Sequence, residues 1–372
     1  MSRALLRCLS HNFHRIRIAR HSCVIPNYGR TFHTTNEPPL TEEQRGYRVL
    51  FFGSDEFALR HLRALLEEKG RVNAAIKTLE IITPEPKLAG RNLRNAVKVP
   101  VRSFAEEQGL IVHKGPVESM RDFVLPKPAD LPGTPYDLGV VVSFGYLIPP
   151  RITRAFRLGA INVHPSLLPR YRGAAPIQHA ILNNEIETGV SIQELAEEFD
   201  AGRILKQVKV PIPKDAAFDS LSRLLAEYGA SALVDVVQNL DHYRANSISQ
   251  DSSQITHARK IQKSMSVVDW KQMDADEVYR LHRAIGHQFP LRTQFDGKTV
   301  QLLQPFLPPA STHNSFLPGS VTLTPDAILI TCADGSQVGF RKVKFEGRGA
   351  IGPKDFANGY LMNGKESVQF GH

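Results

Sequence analysis

After residue 46, short apolar runs alternate with segments of helical periodicity. The stretch YRVLFFGSDEFALRHLRALLEEKG, residues 47–70, starts as an apolar strand, turns at Gly53 and continues as an amphipathic helix. Further apolar runs predict strands at Ala75–Ile82, Tyr136–Ser143 and Gly159–Val163. Strands of near-continuous Val, Ile and Leu that alternate with helices are typical of a parallel sheet buried on both faces. We therefore predict an α/β fold with a mostly parallel sheet.

The elements predicted after Pro169 complete a domain over residues 47–240. They are a helix at Pro176–Leu182, strands at Gly189–Leu195 and Arg203–Pro211, and an amphipathic helix at Phe218–Leu240. Residues 241–260 are polar and Ser-rich, which indicates a linker.

Residues 261–372 predict a small second domain that is mostly β. A helix near Ala275–Ile285 comes first, and Pro, Gly and Asp-Gly turns separate the apolar runs that follow it. These runs predict strands at Lys298–Leu303, Gly319–Thr324, Ala327–Cys332 and Gln337–Phe345.

The first 36 residues differ in charge from the rest of the chain. They contain six arginines, no acidic residue, and Leu, Ile and Phe between the charges. This composition is typical of a mitochondrial transit peptide, so we predict import into the mitochondrial matrix. The alternative is a basic tail that contacts nucleic acid. Removing these six arginines from the 46 basic residues leaves 40 against 37 acidic ones, so any surface that binds a polyanion must be local.

Cysteine content and hydropathy exclude several classes of protein. Cys8 and Cys23 lie in the predicted transit peptide, which leaves Cys332 alone in the remainder. A disulfide framework or a cysteine metal cluster cannot be built from one cysteine. No run of 18 apolar residues occurs, so we expect no membrane-spanning segment.

The stretch INVHPSLLPRYRGAAP, residues 161–176, carries the strongest chemical signal. Asn162 and His164 are two residues apart at the end of a predicted strand, so their side chains should share one face. In open α/β sheets, ligands bind beyond the carboxyl ends of the strands. Asp200, in EEFDAGRIL, is a further acidic candidate, and Gly202 after it would allow close backbone approach.

An amide, an imidazole and a carboxylate form a coherent centre for acyl transfer. When an amine attacks a carbonyl or formyl carbon, Asn162 and a protonated His164 would donate hydrogen bonds to the developing oxyanion. Asp200 would orient the imidazole and help to remove the proton of the amine. Each residue also has a structural interpretation: His164 as a buried structural histidine, Asn162 as a strand-end cap and Asp200 as a turn former.

The segment INVHPSLLPRYRGAAPIQHAI closely resembles the signature of the 10-formyltetrahydrofolate-dependent formyltransferases. The resemblance implies that Asn162, His164 and Asp200 are catalytic, that 10-formyltetrahydrofolate is the formyl donor, and that no metal takes part. It also implies folate contacts from the FGYL segment and the SLLP loop: Phe144, Gly145, Tyr146, Leu147, Ser166, Leu167, Leu168 and Pro169.

Other stretches resemble the members of this family that formylate the α-amine of initiator methionyl-tRNA. They include VVVSFGYLIP, ETGVSIQ and YRLHRAIGHQFPLRTQF, and the similarity runs from about Arg48 to the C-terminus. The resemblance implies an N-terminal Rossmann-like formyltransferase domain, a C-terminal OB-like β-barrel domain that binds tRNA, and a monomer. The alternative within the family is a formyltransferase with another acceptor, or a deformylase of the same folate.

Two basic regions are the candidates for tRNA contact. The first carries Lys87, Arg91, Arg94 and Lys98 without an acidic residue, and the resemblance makes Arg91 its best candidate. The second is RKVKFEGR at 341–348, with Arg341, Lys342 and Lys344. On a strand, Arg341 should share a face with Val343 and Phe345. The alternative is a solvated basic edge strand that discourages sheet pairing.

Three other classes of protein fit the sequence poorly. FFGSDEF has one glycine where a dinucleotide-binding loop needs three. A non-catalytic RNA-binding protein has no need of the Asn, His and Asp set. A metal hydrolase would need histidine or cysteine partners at ligand spacing around His164, and none occurs.

Overall fold

The computed structural model of this protein describes residues 46–86, 88–89, 95–96, 98–309, 316–360 and 368–371. Its strands are β1 (Tyr47–Gly53), β2 (Ile76–Thr83), β3 (Leu88–Ala89), β4 (Asn95–Ala96), β5 (Val112–Lys114), β6 (Leu138–Val142), β7 (Ala160–His164), β8 (Glu187–Glu194), β9 (Ile204–Pro211), β10 (Leu291–Phe295), β11 (Lys298–Phe306), β12 (Val321–Leu323), β13 (Ile328–Thr331), β14 (Gln337–Phe345) and β15 (Ala350–Ile351). Its α-helices are α1 (Glu56–Lys69), α2 (Pro100–Glu107), α3 (Pro150–Thr153), α4 (Pro176–Leu182), α5 (Phe218–Gln238), α6 (Leu240–Ala245), α7 (Ala275–Ile285) and α8 (Pro353–Tyr360).

The first domain is built on a seven-stranded sheet in the order β5-β2-β1-β6-β7-β8-β9. The first five of these strands pair in parallel, whereas β8 and β9 run antiparallel to their neighbours. This arrangement confirms the predicted α/β fold with a mostly parallel sheet. The carboxyl ends of β1, β6 and β7 are adjacent, because β6 lies between the other two strands.

Both faces of this sheet are buried. Alternate residues of β1 belong to different cores: Val49 and Phe51 pack on one side, and Leu50 and Phe52 on the other. Helices α1 and α5 pack against each other on the first side, while residues around α3 cover the second. This double burial explains why the strands read as continuous apolar runs.

The connection between the two domains is structured, although its composition predicted a linker. Helix α6 begins at Leu240, and the backbone of Ile248 then exchanges two hydrogen bonds with Ile204, at 2.8 and 2.9 Å. Further along, Ala258 donates to the carbonyl of Arg172 at 2.7 Å. Polar side chains of this connection bond to the first domain, including those of Ser247, Ser249, Gln250 and Thr256. Polar contacts of this kind leave no apolar periodicity in the sequence.

The C-terminal domain is an antiparallel sheet in the order β10-β11-β14-β13-β12, and β15 also pairs with β14. The described pairings follow an open path from β10 to β12, and closure into an OB-like barrel stays a prediction. Because β14 pairs with strands on both sides, its interpretation as a basic edge strand is wrong. The predicted alternation holds for Val343 and Phe345, which are buried, but Arg341 is exposed and its guanidinium lies over the ring of Phe306.

The C-terminal domain docks on the first domain through helix α7. This helix packs against α4. Arg283 donates a hydrogen bond to the carbonyl of Ala216 at 2.8 Å, and His287 stacks on Phe218 with 4.0 Å between ring centroids. None of the described helices has the length and apolar content that a bilayer crossing requires.

Candidate active site

Strand β7 presents the two polar side chains that its spacing predicted. Asn162 lies opposite Gln193 of the antiparallel β8, and His164 is the last residue of the strand. Both therefore stand at the carboxyl end of the parallel part of the sheet, where α/β folds bind ligands. His164 is buried and Asn162 is half-buried.

The structure brings His164 and Asp200 together. His164 Nδ1 lies 3.4 Å from Asp200 Oδ1, and His164 Nε2 lies 2.9 Å from the carbonyl oxygen of Tyr171. A neutral ring that donates from Nε2 to this carbonyl has its lone pair on Nδ1, facing the carboxylate. A ring protonated on both nitrogens would find an acceptor for each N–H. The imidazole and the carboxylate are therefore at ion-pair distance, without a direct hydrogen bond between them in this structure.

Asp200 is held by hydrogen bonds from two directions. The backbone N–H of Gly173 donates to Oδ2 at 2.9 Å, and Gln193 Nε2 donates to Oδ1 at 3.1 Å. The backbone of Asp200 is left-handed, with φ of 53°, which aspartate tolerates better than most residues. Gly202 is required nearby, because a Cβ at that position would lie 1.7 Å from the carbonyl oxygen of Glu194.

Tyr171 links His164 to the loop that follows it. Its carbonyl oxygen faces His164, and its hydroxyl donates to Glu185 at 2.5 Å. Burial and the neighbouring Glu185 carboxylate raise the pKa of the Tyr171 phenol. The phenol therefore stays protonated at neutral pH and fixes the ring that positions the carbonyl.

A small cavity of about 90 Å³ adjoins this pair. Its polar lining consists of Asn162, Gln193, Glu194, Glu198 and Asp200. Its other lining residues include Tyr146, Leu147 and Phe199. Phe199 is 64 % exposed and Leu147 is 51 % exposed, so an apolar rim borders the polar floor. Apolar walls with a few polar groups are typical of small-molecule sites, but this cavity is smaller than the roughly 300 Å³ at which such sites begin, so it can enclose only part of a ligand.

The FGYL segment separates this cavity from a second one of about 670 Å³. Phe144, Gly145 and Tyr146 line the second cavity together with Ser54 and Glu85. Residues 144–147, which the resemblance associates with folate, thus all border one cavity or the other. A further cavity of about 710 Å³ lies between α1 and α5 and contains none of the predicted site residues.

The structure places the SLLP loop behind the site rather than in the small cavity. Ser166 and Leu168 are buried, and Leu167 and Pro169 are half-buried. Ser191 Oγ donates to the carbonyl of Ser166 at 2.6 Å and accepts from the backbone N–H of Leu168 at 3.1 Å. None of the four predicted loop residues lines the cavity beside Asn162. The loop packs against β8 and β9.

The predicted tRNA residues lie only partly within the described chain. Lys87, Arg91 and Arg94 are outside the described residues, whereas Lys98 is described and exposed. Strands β3 and β4 of the same region pair antiparallel directly after β2. The C-terminal set is fully described: Arg341, Lys342 and Lys344 are exposed on β14.

Sequence reasoning missed several residues around Asp200. Gln193 is buried and contacts the carboxylate, and Gly173 bonds to it through its backbone. Both lie in stretches that carry the family resemblance, ETGVSIQ and RYRGAAP, and that was the available signal. Gln250 lies in the predicted linker, where composition carried no signal. The described residues contain no group of three or more His, Cys, Asp or Glu side chains that could hold a metal ion.

Comparison with known proteins agrees with this geometry. The Formyl transferase family model matches residues 47–237, and the model for the formyl transferase C-terminal domain matches residues 260–361. Mitochondrial methionyl-tRNA formyltransferase from Homo sapiens is 34 % identical over 331 residues, which cover 86 % of this chain and 79 % of that protein. Methionyl-tRNA formyltransferase from Ehrlichia chaffeensis is 33 % identical over 85 % of this chain and 98 % of its own length.

Two solved structures share the fold. HypX from Aquifex aeolicus, solved with tetrahydrofolic acid, superposes with a TM-score of 0.55 at 18 % identity over 85 % of this chain, which spans about half of that protein (48 %). The sugar 3N-formyl transferase WlaRD, solved with dTDP and 5-N-formyl-THF, has a TM-score of 0.53 at 16 % identity over 81 % of this chain and 98 % of its own. The family models and the identity over most of the chain are decisive, and the chain belongs to the formyl transferase family.

Proposed function

We propose that this formyltransferase transfers the formyl group of 10-formyltetrahydrofolate to the α-amine of initiator methionyl-tRNA in the mitochondrial matrix. The observation that carries the proposal is the match to methionyl-tRNA formyltransferases through both domains, at 33 to 34 % identity. The mammalian relatives are named as mitochondrial, and the acid-free, Arg-rich residues 1–36 fit a transit peptide. The enzyme acts as a monomer in this proposal.

The chemistry assigned to the site is acyl transfer between two nitrogens. The amine nitrogen bonds to the formyl carbon, and the bond from that carbon to N10 of the folate breaks. Asn162 donates a hydrogen bond to the formyl oxygen while it carries negative charge. His164 assists from Nδ1, because its Nε2 is taken by the carbonyl of Tyr171, whereas Nδ1 lies 3.4 Å from Asp200 and can share its N–H with the substrate. Asp200 takes the proton that the amine loses, directly or through a water, and the folate nitrogen gains a proton as it leaves.

The folate is assigned to the cavities around Tyr146. The exposed apolar side chains of Leu147 and Phe199 offer flat surfaces to a pterin, and Asn162 and Asp200 lie on the floor of the same cavity. In this assignment the SLLP loop supports the site through its hydrogen bonds to β8 and β9 rather than contacting the pterin.

The tRNA is assigned to the two basic regions. In the sequence, β3 and β4 are flanked by Lys87, Arg91, Arg94 and Lys98. This region directly follows β2, whose carboxyl end lies at the same edge of the sheet as the active site. Lys342 and Lys344 project from the same face of β14, since Val343 between them is buried. Two lysines on one face can neutralise neighbouring phosphates of one backbone.

Formyl transfer by the purified protein tests the proposal. We expect transfer from 10-formyltetrahydrofolate to initiator methionyl-tRNA, and slower transfer to a small amine or to water. Replacing Lys342 and Lys344 by alanine should raise KM for the tRNA and lower the salt dependence of binding by about one log-log unit per lost phosphate contact. Preferred hydrolysis of the folate, or preferred formylation of a small amine, would show that the acceptor has been assigned wrongly.

A further inference from the structure

Gln250, in the connection between the two domains, bonds to the backbone of the loop that carries Asp200. Its Oε1 accepts two hydrogen bonds from the Arg172 guanidinium, at 3.0 Å from Nε and 2.6 Å from Nη2. Its Nε2 lies 2.8 Å from the carbonyl oxygens of both Asp200 and Gly202, and 3.2 Å from Gln193 Oε1. One half-buried amide therefore joins the RYRG segment, β8 and the loop that carries Asp200.

These contacts form a directed chain of hydrogen bonds that ends at Asp200. Arg172 can only donate, and an ionised Asp200 carboxylate can only accept. Between them, Gln250 accepts from Arg172 and shares the two hydrogens of its Nε2 among three acceptors, the carbonyls of Asp200 and Gly202 at 2.8 Å and Gln193 Oε1 at a longer 3.2 Å. Gln193 Nε2 in turn donates to Asp200 Oδ1. Because both ends of the chain are fixed, each glutamine amide has one orientation that satisfies its neighbours. Reversing either amide would place two donors or two acceptors face to face.

Gln250 also holds the backbone on which Asp200 stands. The left-handed conformation of Asp200 is less favourable than a β or α conformation for a residue with a side chain. The two bonds from Gln250 Nε2 fix the carbonyls of Asp200 and Gly202, on either side of Ala201. A shift of this loop would change the 3.4 Å separation between Asp200 and His164.

From these contacts we infer that Gln250 is a positioning residue for formyl transfer, which orients the Asp200 carboxylate through Gln193 and through the backbone of the Asp200 loop. The inference rests on the catalytic role proposed for Asp200. Gln250 does not line the cavity beside Asn162, so its effect reaches the substrates through Asp200. Displacing a catalytic group by about 1 Å can cost about a hundredfold in rate.

The test compares two substitutions in the full chain. Gln250→Leu removes both sets of hydrogen bonds. Gln250→Glu keeps an acceptor for Arg172 but removes the N–H donors and places a carboxylate opposite three oxygens. We expect each variant to lower kcat for formyl transfer by about ten- to fifty-fold, with KM for the folate and for the tRNA within about twofold of wild type. Gln254→Leu is the matched control, because Gln254 is exposed and its amide donates to Asp251.

The outcomes separate positioning from other roles. Wild-type kcat in both Gln250 variants would overturn the inference, as would a loss confined to KM. Activity retained in Gln250→Glu but lost in Gln250→Leu would reduce Gln250 to an anchor for Arg172 and overturn it as well. If Gln250→Leu fails to fold, Gln250→Glu decides alone. A wild-type protein that leaves methionyl-tRNA unformylated overturns the proposed acceptor instead, and the variants are then compared with the acceptor that the wild type uses.

Discussion

The described residues contain two histidine–carboxylate pairs, and they are built differently. In the first, His113 Nε2 lies 2.6 Å from Glu80 Oε2, which also accepts from the Tyr136 hydroxyl at 2.8 Å. The other oxygen of Glu80 accepts from the backbone N–H of Ala129, also at 2.8 Å. In the second, His164 and Asp200 are 3.4 Å apart and Asp200 borders a cavity.

The tighter pair is structural. Both oxygens of Glu80 are occupied, and the cluster ties the chain around Ala129 and Tyr136 to β2. Burial and the hydrogen bond to Glu80 raise the pKa of the Tyr136 phenol, so Tyr136 remains a donor. In the looser pair, Asp200 borders the cavity of about 90 Å³ beside Asn162. Proximity of histidine and carboxylate is therefore a weaker sign of catalysis than an adjoining cavity at the carboxyl ends of the strands.

Among these substitutions, Asp200→Asn should lower kcat the most. A small effect would contradict the difference in role between the two pairs. Losing the carboxylate removes the acceptor for the amine proton, so we expect kcat to fall by about 10²- to 10⁴-fold. Asparagine fits the left-handed backbone but has one oxygen for the N–H groups of Gly173 and Gln193, so we expect the thermal unfolding midpoint to fall moderately while the variant still folds. Steady-state kinetics and circular dichroism check the two parts. A fully active variant would place the proton acceptor elsewhere.

Glu80→Gln makes the corresponding change in the tighter pair. The neutral amide has one oxygen for three donors, so we expect the free energy of unfolding to fall by about 2 kcal/mol, while kcat stays within about twofold of wild type. Urea unfolding and the formyl-transfer assay measure both quantities. A large fall in kcat with unchanged stability would mean that the Glu80 pair and the Asp200 pair are coupled.

His61 provides a third case, a buried histidine whose ring nitrogens contact no carboxylate among the described residues. Its Nδ1 lies 2.8 Å from the carbonyl oxygen of Phe57, and its Nε2 has no hydrogen-bond partner among the described residues. Burial lowers the pKa of His61 to about 4. The unfolded chain, with an ordinary histidine pKa near 6.5, therefore binds more protons than the folded one between pH 4 and 6.5, and stability falls as the pH falls.

Because of the lowered pKa of His61, we expect the free energy of unfolding of the wild type to fall by about 2 kcal/mol between pH 7 and pH 5. His61→Leu removes the titrating group, so its free energy of unfolding should decline less over this range by that amount. Urea unfolding at pH 7, 6 and 5 measures the difference. Equal declines in the two proteins would show that His61 is protonated in the fold.

Strong periodicity made much of the fold predictable. Helices α4 and α7 and strand β14 have the predicted bounds, because each has a clear apolar pattern or a marked terminus. Helix α2 was missed, since only Val101 and Ala105 of its eight residues are buried. Strand β5 has three residues and no apolar alternation, which is too short a pattern to recognise.

The candidate site was predictable only in part. Asn162 and His164 followed from their spacing on one strand, but the contact of His164 with Asp200 came from family resemblance, since strand patterns carry no information about distant loops. Gln250 is an example of a site residue that could not be predicted. A glutamine in a Ser-rich stretch has no local pattern, and its position beside Asp200 depends on how the chain crosses back over the first domain.

The crossing of residues 248–258 over the first domain limits how this enzyme can be recombined with its relatives. Ile248, Gln250 and Ala258 bond to Ile204, Asp200 and Arg172 respectively. In a chimera that exchanged C-terminal domains at residue 240, residues from the relative would replace those that hold the Asp200 loop of this chain. The module that can be exchanged therefore begins near residue 260. Residues 248–258 belong functionally with the first domain, although they directly precede the C-terminal one.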